Sequence, residues 1–193
     1  MSNKKLTPYF DIPIQHSEDS ILTSMNRRGN KEFLKTLFNK IRNKNPKAIL
    51  RTTIMVGFPG ESDGDFNNLI DFIKEIQFDH LACFSYSREE NTPSYNFPNQ
   101  ISEEVKQKRV NELMKVQQSI SYRRNKTHID EEMEGIVVGK DNDYYLLRSY
   151  FNAPDDIDGK VLFKSPVELK EGDIVKVKIT HAFVYDLMGE LVQ

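Results

Sequence analysis

The residues best equipped for chemistry gather around LRTTIMVGFPGE, residues 50–61. Arg51 lies inside an otherwise apolar run, where an unpaired charge would cost several kcal/mol, so a partner for it is expected. Gly57 and Gly60 frame a turn in which a backbone without Cβ atoms can approach a flat ligand closely. Glu61 closes the turn and can accept hydrogen bonds from hydroxyls. A strand-to-helix turn without a ligand has the same local pattern, and that reading stays open. His16, at the end of an upstream β-like run, is either a satisfied strand-end histidine or a second polar group of the same site. Cys83 is the only cysteine. It excludes an internal disulfide and a cysteine-only metal cage, and its apolar surroundings predict a core position; no metal ligand is assigned, and no catalytic residue is identified.

The elements that must position these groups follow from periodicity. The segment 49–56 is a near-continuous β-favouring run, which suits a parallel strand covered on both faces. Ser62 and Asp65 then match a capping box. Ligands in such sheets bind beyond the carboxyl ends of the strands, which makes 57–61 a candidate ligand-facing turn. Upstream, YFDIPIQ (residues 9–15) reads as a strand and residues 18–25 as a short helix. Asn30 can cap the next helix, whose Phe33, Leu34, Leu37, Phe38 and Ile41 recur at one-face spacing. Phe66, Leu69, Ile70, Ile73 and Ile76 mark a further amphipathic helix, and residues 81–86 another buried strand. A proline-containing loop and a long polar helix from Ser102 follow, the helix ending in the basic stretch 122–126. From Glu134 onward, short β-like runs separated by Asp, Asn, Gly and Pro predict a small β-barrel. The expected fold class is α/β followed by all-β, with domains at 1–131 and 132–193. Three parallel strands cannot close a barrel, so the first domain reads as half of one.

Composition narrows the function classes. Of 193 residues, 29% are charged, and no apolar run approaches the roughly 20 residues that span a bilayer. The amino-terminal MSNKKLTPYFDIPIQ has no apolar stretch of signal-peptide length, so a cytoplasmic protein is expected. Residues 132–193 hold 12 acidic and 7 basic side chains, whereas residues 1–131 hold 17 and 20. An acidic carboxyl-terminal domain repels phosphate backbones and favours a basic protein partner.

Several stretches together carry a family resemblance: DIPIQH (11–16), SMNRRG (24–29), LRTTIMVGFPGE (50–61), QFDHLACFSYSREENTP (77–93) and QQSISYRRN (117–125). In this order they resemble the carboxyl-terminal half of the radical S-adenosylmethionine methylthiotransferases, and LLRSYFNAPDDIDGKVLFKS through YDLMGELV resembles the TRAM domain that ends those enzymes. Asp-Ile-Pro-Ile-Gln-His, Leu-Arg-Thr-Thr and the acidic tail are closer to the RimO-like branch, which modifies an aspartate of a small-subunit ribosomal protein, than to the transfer-RNA branch.

The resemblance implies a fold, an incomplete (β/α) radical SAM half-barrel followed by a TRAM barrel. It also implies S-adenosylmethionine and two four-iron four-sulfur clusters as cofactors. One cluster cleaves S-adenosylmethionine to a radical that takes hydrogen from the aspartate β-carbon, and the second delivers sulfur. By resemblance, Gln15, His16, Arg51, Thr53, Met55, Val56, Gly57, Gly60 and Glu61 line the adenosylmethionine site, with Arg51 paired to the methionyl carboxylate. Arg148, and Asp158 in the 155–158 loop, would contact substrate through the TRAM surface. The ligands for both clusters are absent from this chain, since each needs three or four thiolates. A fragment, inactive alone and completed by a missing amino-terminal half, is therefore expected. The expected partner is a basic small-subunit ribosomal protein, with no membrane and no direct nucleic-acid binding. The alternatives are a non-catalytic TRAM-containing binding module for a ribosomal or RNA partner, and a fragment of a transfer-RNA methylthiotransferase. Asn91 departs from the glycine the family commonly has before Thr-Pro, which bears only on turn geometry.

Overall fold

Apolar residues at strand and helix spacing segregate into two units in the computed structural model, which describes residues 6–153 and 157–192. One unit comprises residues 10–117; the other comprises 118–193 together with residues 1–9.

The first unit is built on a three-stranded sheet in the order β1 (Tyr9–Asp11), β2 (Ile49–Val56), β3 (His80–Ser85). β2 and β3 pair in parallel, with Ile54 opposite Cys83. The intervening helices are α1 (Asp19–Ser24), α2 (Lys31–Lys44) and α3 (Asp63–Ile76). Their apolar faces meet β2 residues Ile49, Leu50, Ile54 and Val56 in a core that includes Phe38, Leu69, Phe72, Ile73 and Phe78. The Phe38 and Phe78 rings meet edge to face at 4.9 Å, the arrangement that their quadrupoles favour. Asp79 is buried at the start of β3, but its carboxylate is satisfied by the Leu50 N–H and the Arg42 guanidinium, each at 2.8 Å.

Both expected caps form. The Asn30 side chain accepts the Phe33 N–H at 2.8 Å. The Ser62 hydroxyl accepts the Asp65 N–H at 3.1 Å while Asp65 accepts the Ser62 N–H at 2.9 Å, closing the capping box. Replacing Ser62 by alanine strands the Asp65 N–H and is expected to lower stability by about 1 kcal/mol, read from a shift in the urea midpoint at unchanged slope.

Three expectations need correction. The strand expected over 9–15 stops at Asp11, because Pro13 has no N–H to give the ladder. The backbone bridges this gap by side-chain substitution: the Thr52 hydroxyl donates to the Ile12 carbonyl at 2.8 Å, and Gln15 rejoins β2 through a parallel bridge to Ile54. β2 is not covered on both faces, since Arg51, Thr53 and Met55 alternate with fully buried neighbours and remain half-buried. Cys83 is half-buried too, because the strand beyond His80 loses its cover toward Phe84 and Ser85.

After β3 a 3-10 turn (Pro93–Asn96) precedes α4 (Glu103–Lys126), whose residues up to Gln117 belong to the first unit. The second unit is a closed five-stranded barrel of β4 (Glu132–Asp141), β5 (Tyr144–Ser149), β6 (Val161–Lys164), β7 (Ile174–Ala182) and β8 (Leu187–Leu191). Its order is β4-β5-β6-β8-β7, antiparallel except for β6 with β8. Met133, Val137, Leu147, Val161, Phe163, Val177, Ile179 and Leu187 fill its interior, and closure leaves no free edge. Among the described residues, no helix is long and apolar enough to cross a membrane.

Candidate functional site

β2 ends in Val56, and Gly57 at φ +75° makes a left-handed turn that leads into Phe58. Phe58 meets Tyr86 edge to face at 5.2 Å and Phe97 at 6.1 Å. With Met25 and Met55 these rings form the apolar wall of a cavity of about 650 Å³, bordered by Gln15 and by Ser85 at the end of β3. Its polar border is Asn26, Arg27, Glu89 and Thr92. A cavity of this size with an apolar wall and a few polar groups is the usual form of a small-molecule site. Tyr86 is 5% exposed, and its hydroxyl is buried without a hydrogen-bond partner among the described residues. The Lys106 ammonium lies 5.1 Å from the Tyr86 ring centroid.

Of the residues expected to bind cofactor, the structure brings Gln15 and Met55 to this cavity. His16, Arg51, Thr53, Val56, Gly57, Gly60 and Glu61 are not part of its lining. Arg51 finds its anion within the chain, an ion pair of 2.8 Å with Asp11. Glu61 does not face outward to hydroxyls: it is 4% exposed, and its carboxylate is used internally. One oxygen accepts the Gly57 N–H at 2.6 Å and the other accepts from Arg109 at 3.0 Å. His16 is fully buried beside it. Its Nδ1 accepts the Glu18 N–H at 3.0 Å, which leaves the proton of the neutral ring on Nε2, 3.7 Å from Glu61 Oε2.

Burial dominates the electrostatics of this cluster. It pulls the His16 pKa down to about 4, with Arg109 and Lys31 acting in the same direction and Asp65 opposing. It pushes Glu61 up to about 7, against Arg109 and the Gly57 and Phe58 N–H groups and with Asp65. Cys83 is pushed up to about 12 by burial and by the Glu61 charge, which favours the thiol form at neutral pH. Among the described residues, no group of three His, Cys, Asp or Glu side chains is placed to hold a metal ion.

Sequence reasoning missed Arg27, Phe58, Tyr86, Thr92 and Phe97 as lining residues. Tyr86 was within reach of it: the rule that ligands sit beyond strand carboxyl ends applies to β3 as well as to β2. In the second unit, Arg148 and Asp158 share a cleft of about 160 Å³ with Val138 and Leu146. The Asp158 carboxylate accepts from the Tyr9 hydroxyl at 2.5 Å and the Ala153 N–H at 2.8 Å. Asp155 and Asp156 lie outside the described residues.

The barrel and its sequence define the class of the carboxyl-terminal part: residues 129–192 match the TRAM domain family, and this segment is a TRAM domain. The wider similarity runs over nearly the whole chain. A protein of Petrotoga mobilis named ribosomal protein uS12 methylthiotransferase RimO is 49% identical over 193 residues, 99% of this chain and 44% of that protein. Proteins of the same name from Fervidobacterium nodosum and a Thermoanaerobacter species are 47% and 44% identical, over 100% and 98% of this chain and 44% and 43% of their own lengths. The resemblance to RimO-like methylthiotransferases is therefore shown, for a chain that spans under half the length of these relatives.

Proposed function

We propose that this chain contributes the cavity-bearing sheet and the TRAM barrel to a methylthiotransferase of the RimO type. Its substrate is an aspartate of ribosomal protein uS12, to whose β-carbon a methylthio group is transferred. In this reading residues 1–131 are the carboxyl-terminal part of a radical SAM domain and residues 132–193 are the TRAM domain. The observation that carries it is identity of 42–49% over nearly the whole chain to proteins bearing that name.

The residues present fit S-adenosylmethionine. Met55, Phe58, Tyr86 and Phe97 offer an apolar wall for a nucleoside, the unpartnered Tyr86 hydroxyl is a polar group without an internal role, and Gln15 and Arg27 border the same space. When bound, that cofactor supplies the radical chemistry, and the protein supplies orientation and exclusion of water. The residues do not fit an iron–sulfur cluster: one cysteine cannot replace three or four thiolates. Both clusters are accordingly assigned to sequence outside these 193 residues, and the chain alone is expected to be inactive. The acidic TRAM segment suits a basic ribosomal protein in the cytoplasm, with Arg148 and Asp158 at the contact, better than it suits transfer RNA.

Deletion of the gene in its source organism tests this reading. Mass spectrometry of uS12 is expected to show loss of the increment of one methylthio group replacing hydrogen on an aspartate, restored by the intact gene. An unchanged uS12 with loss of methylthio from transfer RNA would move the chain to the transfer-RNA branch. No change in either substrate would leave a binding module.

A further inference from the structure

A buried ion pair is seldom retained for stability, because apolar residues of the same shape serve as well or better. Arg109 and Glu61 form such a pair, 6% and 4% exposed. We propose that Arg109 is a positioning residue for the cavity, acting through Glu61 on the two segments that carry Gln15 and Phe58.

The connections are specific. Arg109 Nη1 donates to Glu61 Oε1 at 3.0 Å and to the Glu61 carbonyl at 3.1 Å, and Nη2 donates to Asp63 at 2.7 Å. One guanidinium thus fixes both the side chain and the backbone of Glu61 and the first turn of α3, the planar recognition that Arg supplies and Lys does not. Glu61 passes the constraint in two directions. Its Oε2 holds the Gly57 N–H at 2.6 Å, and its N–H donates to the Phe58 carbonyl at 3.0 Å, which sets the turn that presents the Phe58 ring. The same Oε2 packs 3.7 Å from Nε2 of the fully buried His16 ring, beyond hydrogen-bond range, and that nitrogen has no hydrogen-bond partner among the described residues. His16 follows Gln15, which stands at φ +70° and exchanges backbone hydrogen bonds with Thr53 and Met55. A non-glycine residue in that conformation needs its neighbours to hold it. From the other side, Lys106 of α4 packs its stem on Gly57, so α4 grips the turn by both buried cations.

The test rests on the S-adenosylmethionine reading for one arm only. Arg109→Gln and Arg109→Lys are made in the full chain, with Leu113→Ala, buried on the same helix, as a variant destabilised without touching Glu61. Titration calorimetry with S-adenosylmethionine is expected to show a loss of about tenfold or more for Arg109→Gln, partial recovery for Arg109→Lys, and a change within about twofold for Leu113→Ala. Wild-type affinity in Arg109→Gln, or an equal loss in Leu113→Ala, would overturn the positioning role. If the wild-type chain, which lacks the cluster ligands, does not bind S-adenosylmethionine, nitrogen NMR of the His16 ring decides the positioning role by itself. The Nε2 resonance is expected to move in Arg109→Gln and stay in Leu113→Ala; an unmoved resonance in Arg109→Gln would refute the link.

Discussion

Replacing Gly57 by alanine is expected to lower the stability of the chain by about 3 kcal/mol and to disorder the cavity wall with it. Two effects add. Gly57 stands at φ +75°, where a Cβ is strained. That Cβ would also overlap Lys106 Cγ and lie 3.2 Å from Lys106 Cβ and Cδ. Lys106 cannot readily step aside: it is 2% exposed, its ammonium bonds Glu103 at 2.6 Å, and its head lies by the Tyr86 ring. Gly60 is the control, at φ +89° with nothing within 4 Å of its would-be Cβ, so Gly60→Ala carries only the backbone strain of about 1 kcal/mol. Chemical denaturation of both variants separates packing from strain. Equal losses would show that the Lys106 contact contributes nothing.

The second large effect is a pair of opposing pH limbs from His16 and Glu61. Burial lowers His16 from 6.5 to about 4, so its contribution is full above pH 6.5 and is lost as pH falls toward 4, roughly 3 kcal/mol in all. Glu61 runs the other way. Its pKa is raised from 4.5 to about 7, so a cost of similar size, roughly 3 kcal/mol, is present above pH 7 and relieved as pH falls toward 4.5. Together they flatten the wild-type profile between about pH 4.5 and 6.5. Glu61→Gln is expected to expose the histidine limb, with stability falling on acidification. His16→Asn is expected to expose the carboxylate limb, with stability rising from pH 7 to 4.5. Asp65, Lys31 and Arg109 also face this pair, and all three remain in each variant. Parallel profiles for the two variants, measured by urea unfolding at each pH, would contradict the assignment.

Local order was legible from the sequence because its signals are local. The run 49–56, the Ser62–Asp65 box and the Asn30 cap each lie within one turn or strand, and their hydrogen bonds form as the spacing dictates. The β-runs after residue 132 likewise announced a barrel, since turn residues recur at short intervals. The strand through Pro13 was overread because the alternative acceptor and donor for the gap come from Thr52, which is remote in the chain.

The direction of Glu61 was beyond local reading for the same reason. A glutamate after a Gly-Phe-Pro-Gly turn is free to face ligand or core, and its inward course is decided by Arg109, 48 residues away, and by His16. Arg51 likewise needed an anion, and only the pairing of β1 with β2 shows that Asp11 supplies it. The cavity is assembled from segments around residues 15, 25, 55, 58, 86 and 97, each unremarkable in its own stretch. Sequence by itself determined most of the elements, the caps and the barrel, because short-range periodicity and residue type suffice for them, and the order of its motif stretches carried the family resemblance. Tertiary structure alone decided which polar groups border the cavity and which are consumed in holding the fold, because buried charges take the partners that packing brings within reach.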